Sequence, residues 1–259
     1  GANLVTGQFT IPIPELSVPG APNLRFDRVQ NAAPYVSGRI EGQAGQIPQA
    51  SYSVHAGGAA SEAFRCPDFD CASVTGTGST LQPSGSGRGP ATYRQAGSGV
   101  RYAFTVVHVS TAGPPGVMLY YASSALWPNG ESISYAYDTG FLPDDPFNRP
   151  FRRPITLTSN FGYHIAITYH PGEVGTVGWN SPAQATLIET ATGAVLGRLT
   201  YSADGTTITQ YGAGLQNPRV YVCAGCANSM GADVEVAEGS FALPGEATPT
   251  LQVTPAAPA

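Results

Sequence analysis

Four cysteines, four histidines and one close pair of aspartates are the residues of this chain with the widest chemical range. The cysteines fall in two clusters, Cys66-Pro67-Asp68-Phe69-Asp70-Cys71 and Cys223-Ala224-Gly225-Cys226. Paired spacings of this kind admit a four-thiolate zinc site, free thiols, or disulfides in three connectivities. Low charge and abundant glycine favour disulfides. Closing the short 66–71 loop contributes about 2 kcal/mol in the chain-entropy model, and joining the two clusters about 5 kcal/mol. Nearness in sequence favours the local pairs. The expectation is therefore Cys66 with Cys71 and Cys223 with Cys226, formed in an oxidising compartment, with no metal and no cofactor. A thioredoxin-type redox role for Cys223 and Cys226 needs a helix opening after a parallel strand, and none is legible.

His55, His108, His164 and His170 are scattered over strand-like segments. His164 and His170 share a face but stand about 20 Å apart in an extended chain, too far to share a metal. Asp68 and Asp70 face the same side and could hold a cation or act as an acid–base pair; between two cysteines, a solvated loop is the simpler reading. The chain has no Gly-x-Ser-x-Gly elbow, no His-Glu-x-x-His and no calcium-loop spacing, and a phosphate loop ending in Lys is impossible because Lys is absent. No catalytic residue is expected. Trp127 and Trp179, read as exposed near turns, could form a sugar-stacking platform, although aromatic residues in strand alternation pack into cores by default.

The elements that would carry these residues are strands. Trp127-Pro128-Asn129-Gly130 is a turn signal, and the strand after it places Ile133, Tyr135 and Tyr137 on one face and Ser132, Ser134 and Ala136 on the other. Tyr163, Ile165, Ile167 and Tyr169 alternate likewise. Residues 196–209 read as a hairpin turning at Asp204-Gly205. Val100, Tyr102, Phe104, Val106 and His108 line one face of another strand, with 117–125 as its neighbour. Residues 183–190, 195–202 and 206–211 form a meander. Convincing helical spacing is absent, 229–238 being the nearest approach, and its Gly and Val content argues against a helix.

Pro128-Asn129-Gly130 with Tyr135-Ala136-Tyr137-Asp138, Ser159-Asn160-Phe161-Gly162-Tyr163 and the Gly-Arg-Leu-Thr-Tyr-Ser-Ala-Asp-Gly run at 197–205 resemble the RHS/YD-repeat family, whose mark is a Tyr-x-Tyr-Asp strand between Asn-Gly or Asp-Gly turns. Gly1-Ala2-Asn3-Leu4-Val5-Thr6-Gly7-Gln8-Phe9 is similar to the entry segment of large RHS proteins. The resemblance implies a sheet wall around a cargo or a stack of copies. Asp145-Pro146 resembles the self-cleaving aspartyl site of RHS cores, but its neighbours do not match, so that protease is not expected here.

Composition agrees with a sheet protein. Charged residues are 11% of the chain, against about a quarter in ordinary domains, with 32 Gly and 23 Pro. All 12 basic residues are Arg. The net charge of −5 is spread without runs, which argues against nucleic acid as a partner. No apolar run reaches the ~20 residues of a membrane-spanning helix. The chain divides by composition into a Pro-rich segment of extended or edge strands (1–47), a β-meander body (48–243) with a Ser/Gly-rich surface loop at 72–92, and a Pro/Ala/Thr tail (244–259). Thr250, Leu251, Gln252, Val253 and Thr254 have the pattern of a strand that could be donated to another subunit's sheet edge.

The expectation is an all-β antiparallel meander of hairpins: a non-enzymatic structural segment of a secreted or surface RHS-like protein, joined to the remainder of a longer chain or assembling into an oligomer or filament. The alternative is an extracellular glycan-binding or glycan-cleaving β-sandwich with Trp127, Trp179, Asp68 and Asp70 along a groove. Cleavage would require two carboxylates about 5 to 9 Å apart.

Overall fold

The computed structural model of the chain describes residues 2–3, 8–9, 15–26, 34–41, 49–56, 61–67, 71–84, 89–110, 116–142, 145, 150–205, 207–212, 218–223, 239–241 and 251–253. Its strands begin with β1 (Ala2–Asn3), β2 (Gln8–Phe9), β3 (Leu16–Val18), β4 (Ala21–Phe26), β5 (Tyr35–Glu41), β6 (Gln49–His55) and β7 (Glu62–Pro67). They continue with β8 (Ala72–Ser73), β9 (Thr80–Pro83), β10 (Ala91–Arg94), β11 (Arg101–Ser110), β12 (Gly116–Leu126), β13 (Ser132–Phe141) and β14 (Pro150–Ser159). After β15 (Tyr163–Tyr169) comes the single helical turn α1 (Val177–Asn180), then β16 (Pro182–Glu189), β17 (Val195–Tyr201), β18 (Thr207–Gly212), β19 (Arg219–Cys223), β20 (Gly239–Phe241) and β21 (Leu251–Val253). Every pairing found among the described strands is antiparallel, as the hairpin grammar predicts.

The chain gathers into two compact units, Ala32–Phe161 and Gly1–Asn31 with Gly162–Ala259. These cut across the compositional boundaries at 47 and 243.

In the unit Ala32–Phe161, strands β5 to β12 run round a closed barrel: β5 to β8 pair in turn, β9, which follows β8 in the barrel order, to β12 do likewise, and β12 returns to β5 over Gly116–Tyr121. Alternation fills the interior. Ala50, Tyr52 and Val54 of β6, Phe64 and Cys66 of β7, Leu81 of β9, Ala91 and Tyr93 of β10, Tyr102 and Phe104 of β11, and Met118, Tyr120 and Ala122 of β12 form one buried core. Their neighbours Ser51, Ala63, Arg65, Thr92, Arg94 and Thr105 are exposed. Register shifts between Ala103 and Phe104 and between Val106 and His108 mark bulges that bend β11 against β12, the usual device for curving a sheet. Closure removes sheet edges that a chain without Lys has few charges to blunt.

The described part of the Ser/Gly-rich stretch 72–92 holds strand as well as loop. It contributes β8, β9 and the start of β10, with Leu81 and Ala91 in the core and Ser79 buried. A single apolar residue per short strand suffices there because β9 borders β10 in the ring, and Thr is compatible with a pleated surface.

At Tyr121 the sheet forks. Up to that point β12 pairs with β5; from Ser124 to Leu126 it pairs with β13. Ala122 lies at the branch, where its N–H donates to the Pro34 carbonyl (2.9 Å) and its own carbonyl accepts from the Tyr137 hydroxyl (2.7 Å). β13 and β14 then form a long hairpin in which Ile155 is extra, between the pairs Ala136↔Thr156 and Tyr137↔Pro154. Pro154, which has no N–H to give, therefore sits beside a bulge rather than in regular ladder.

In the other unit, β15 to β19 form a meander whose Ile165, Ile167, Ala185, Leu187, Leu199, Tyr201 and Ile208 are buried. The hairpin β3–β4 lies over it, with Leu16, Ala21, Leu24 and Phe26 buried and the Phe26 ring edge-on to Tyr201 at 6.5 Å. Gly197 permits this contact, since a Cβ there would stand 3.2 Å from Leu16 Cδ2. Val18-Pro19-Gly20 is thus part of a hairpin and not only extended chain. The turn at Asp204-Gly205 joins β17 to β18, with Gly205 at φ 70°. Helix is confined to one turn among the described residues.

Candidate functional site

Glu62 opens β7 at an inward-facing position, two before Phe64 and four before Cys66. The last residues of β6, the 77–79 segment and the 95–97 turn after β10 approach the same end of the ring. Between them lies a cavity of about 330 Å³ lined by Val54, Ala56, Glu62, Thr77, Ser79, Tyr93, Gln95, Ala96 and Gly97. Barrel mouths are a common place for small-molecule sites.

Hydroxyl groups surround the carboxylate. Ser73 Oγ donates to Glu62 Oε1 at 2.8 Å, Thr77 Oγ1 donates to the same oxygen, and Tyr93 OH donates to Oε2 at 2.8 Å. Ser79 Oγ accepts from the Ala96 N–H (3.0 Å), which ties the 95–97 turn to this cage. Burial alone would raise the Glu62 pKa, but the hydrogen bonds from Thr77, Tyr93, Ser73 and Ser79 outweigh it and hold the carboxyl below its ordinary 4.5. Tyr93 is pushed the other way, to about 12, first by desolvation and then by the adjacent carboxylate. Glu62 is thus an anion and Tyr93 a neutral donor across the physiological range. Such a carboxylate is a weak base and a poor acid, suited to binding a positive group rather than to moving protons.

A second carboxylate, Glu131, is fully buried and accepts from Ser159 Oγ at 2.9 Å. It belongs to the turn between β12 and β13, where Trp127 N–H donates to its carbonyl and its own N–H donates to Asn129 Oδ1. Gly130 closes that turn at φ 85°.

Aromatic rings run through the same unit. His55 stacks on Tyr35 at 4.2 Å; Tyr35 meets Tyr121 at 6.2 Å, Tyr121 meets Tyr137 at 5.6 Å, and Tyr137 stacks on Tyr135 at 6.5 Å. The Arg152 guanidinium lies 5.9 Å from the Tyr121 centroid and 5.7 Å from that of Tyr137. Arg153 points to the other side and donates to Asp138 Oδ2 from Nε (3.0 Å) and Nη2 (2.8 Å). Within the Tyr-x-Tyr-Asp run, Tyr137 joins Tyr121 in gripping Arg152, and the aspartate holds Arg153. Desolvation first, with neighbouring phenols adding to it, raises Tyr135 and Tyr137 well above the ordinary 10.0.

The residues singled out by sequence are dispersed. Cys66 and Cys71 form a disulfide, with Cys66 in the barrel core. Cys226 lies outside the described residues, and of Cys223 only the backbone, in β19, is described. Asp68 and Asp70 also lie outside them. Trp127 is half-buried against Tyr102, the rings 6.5 Å apart. Trp179 is not exposed as expected: the Thr176 hydroxyl caps α1 by accepting the Trp179 N–H, and the indole is 5% exposed. Its backbone passes so close to Gly172 that a Cβ there would be 2.5 Å from Trp179 N. Trp127 and Trp179 also belong to different units. His164 Nδ1 meets Thr190 Oγ1 at 3.0 Å and His170 Nε2 donates to the Tyr201 carbonyl at 2.9 Å, so each has its own partner. Leu251–Val253 is a strand, paired with Gly239–Phe241 of the same chain; Thr250 and Thr254 lie outside the described residues. No group of three or more His, Cys, Asp or Glu able to hold a metal occurs among the described residues, and no described helix is long and apolar enough to cross a membrane.

Glu62 and its hydroxyl cage escape a search for motifs, because Ser73, Thr77, Ser79 and Tyr93 come from β8, β10 and the links between them. The legible signal is the period: Glu62 continues the inward alternation of Phe64 and Cys66. No protein-family model matches the chain, and no curated protein matches it.

Proposed function

We propose that this chain is a non-catalytic structural module of a secreted or surface assembly, a sheet-forming segment of the RHS/YD type that associates with copies of itself or with the rest of a longer chain. The observation that carries this reading is the aromatic seam across β5, β12 and β13, in which Tyr35, Tyr121, Tyr137 and Tyr135 follow one another ring to ring and Arg152 from β14 lies on two of them. Cross-strand aromatic and cation–π pairs each contribute about 0.5–1.5 kcal/mol beyond their buried area, so the long hairpins are built for stiffness. The Cys66–Cys71 disulfide supports an oxidising destination. Assembly would use the C-terminal strand: the antiparallel pairing of Leu251–Val253 with Gly239–Phe241 can equally be made with the same residues of a neighbouring copy. Removing residues 244–259 is expected to leave a folded protein that stays monomeric in sedimentation velocity, while the full chain forms larger species. Undiminished assembly after the deletion would refute this route.

A further inference from the structure

We infer that the mouth of the barrel is a binding site for a primary alkylammonium group, with Glu62 as its counter-ion. Three features of the cavity select that ligand. The first is uncompensated charge: among the described residues Glu62 makes no ion pair, and its flanking Arg65 and the nearby Arg94 stand at outward, exposed strand positions. Hydroxyl donors keep the carboxylate ionised without neutralising it.

The second is the number of acceptor positions left. A carboxylate offers about four lone-pair sites. Ser73 and Thr77 occupy Oε1 and Tyr93 occupies one position on Oε2; the fourth faces Ser79, whose hydroxyl also hydrogen-bonds Tyr93 and can turn to it when a ligand N–H takes that place. A guanidinium needs two free oxygens for its fork, so arginine fits poorly. Calcium and magnesium need several oxygen ligands at short range, most of them charged, and a single carboxylate already hydrogen-bonded on both oxygens does not supply them. An ammonium group is a compact charge with three donors. One reaches Oε2, and Gln95 Oε1, which among the described residues accepts from Ser98 Oγ alone (2.9 Å), can take a second.

The third is the wall. Val54, the cross-strand partner of Glu62, and Ala56 give the cavity an apolar lining, and its volume of about 330 Å³ admits an aliphatic stem. This chain has no Lys, so the ammonium group is not one of its own side chains. Free aliphatic amines and lysine side chains carry the same group.

Titration of the full chain with n-butylammonium, followed by the Val54 and Ala56 methyl resonances and by calorimetry, tests the inference. Saturable binding is expected, with n-butanol and n-butyltrimethylammonium weaker by about tenfold or more, because each lacks either the charge or the N–H donors. Glu62→Gln is expected to lose the same factor. Should that variant fail to fold, Gln95→Leu, which leaves the Glu62 cage intact, is expected to weaken n-butylammonium binding while leaving n-butanol unchanged. Cadaverine binding more tightly than Nα-acetyl-lysine methylamide would assign a free amine as the natural ligand, and the reverse order a lysine of another protein. Equal binding of n-butanol and n-butylammonium, no shift at Val54 and Ala56, or full affinity in folded Glu62→Gln would overturn the inference.

Discussion

Tyr93 donates its hydroxyl to Glu62 from a position only 3% exposed, so the pair joins β10 to β7 inside the barrel mouth. A hydrogen bond to a charged group contributes about 1.5–3 kcal/mol, and Tyr93→Phe is expected to destabilise the protein by about that much in urea denaturation near neutral pH. Because Glu62 has its folded pKa below 4.5, its contribution is present above that value and is lost as pH falls through the lower folded one. The difference between wild type and Tyr93→Phe should therefore be constant above pH 4.5 and shrink in more acidic solution. A difference that grows with acid would contradict the cage. Cys66 and Cys71 close a loop with a sequence separation of 5, so Cys66→Ala with Cys71→Ala is expected to cost about 2 kcal/mol plus whatever cavity the buried Cys66 sulfur leaves. Loss of less than half that amount would mean that the unfolded loop is already constrained.

Among elements, the branch in β12 is the place where one side chain decides the path of the sheet. Without the Tyr137 hydroxyl the Ala122 carbonyl has no ladder partner on that side, and a buried acceptor left unmade costs about 1–3 kcal/mol. Tyr137→Phe is expected to lower stability by that amount with little change in the far-ultraviolet spectrum, and hydrogen exchange should rise first at Ala122 and its neighbours in β13. Uniform change across the unit would argue against a local role. Much of this level was legible in the sequence: the turns at Asn129-Gly130 and Asp204-Gly205, the alternation in β11, β13 and β15, and the β16–β18 meander all follow from turn chemistry and a period of two. What escaped were features set by distant partners. Leu81 and Ala91 make strands of a Ser/Thr stretch only because β10 and β11 lie beside it, and Trp179 is buried by a four-residue helix too short to have a periodic signature. The return of β12 to β5 joins segments some 80 residues apart, with pairs such as Tyr35↔Tyr121, and no local pattern announces it.

On the scale of the whole molecule, buried phenols make the fold sensitive to alkali. Desolvation is the leading cause of the raised values at Tyr52, Tyr93, Tyr102, Tyr120, Tyr135 and Tyr137. A raised acid keeps its stabilising contribution below the ordinary 10.0 and loses it as pH climbs toward the folded value. Absorbance at the phenolate band from the buried set should therefore rise together with loss of strand signal, at a pH above the ordinary 10.0. A single transition near 10 with the sheet intact would contradict a tyrosine-filled core. The proposal of a self-associating structural module is tested most directly by light scattering on the full oxidised chain over a hundredfold range of concentration. A weight-average mass that climbs above that of one 26.7 kDa chain as concentration rises is expected. A mass that stays at one chain throughout would contradict it.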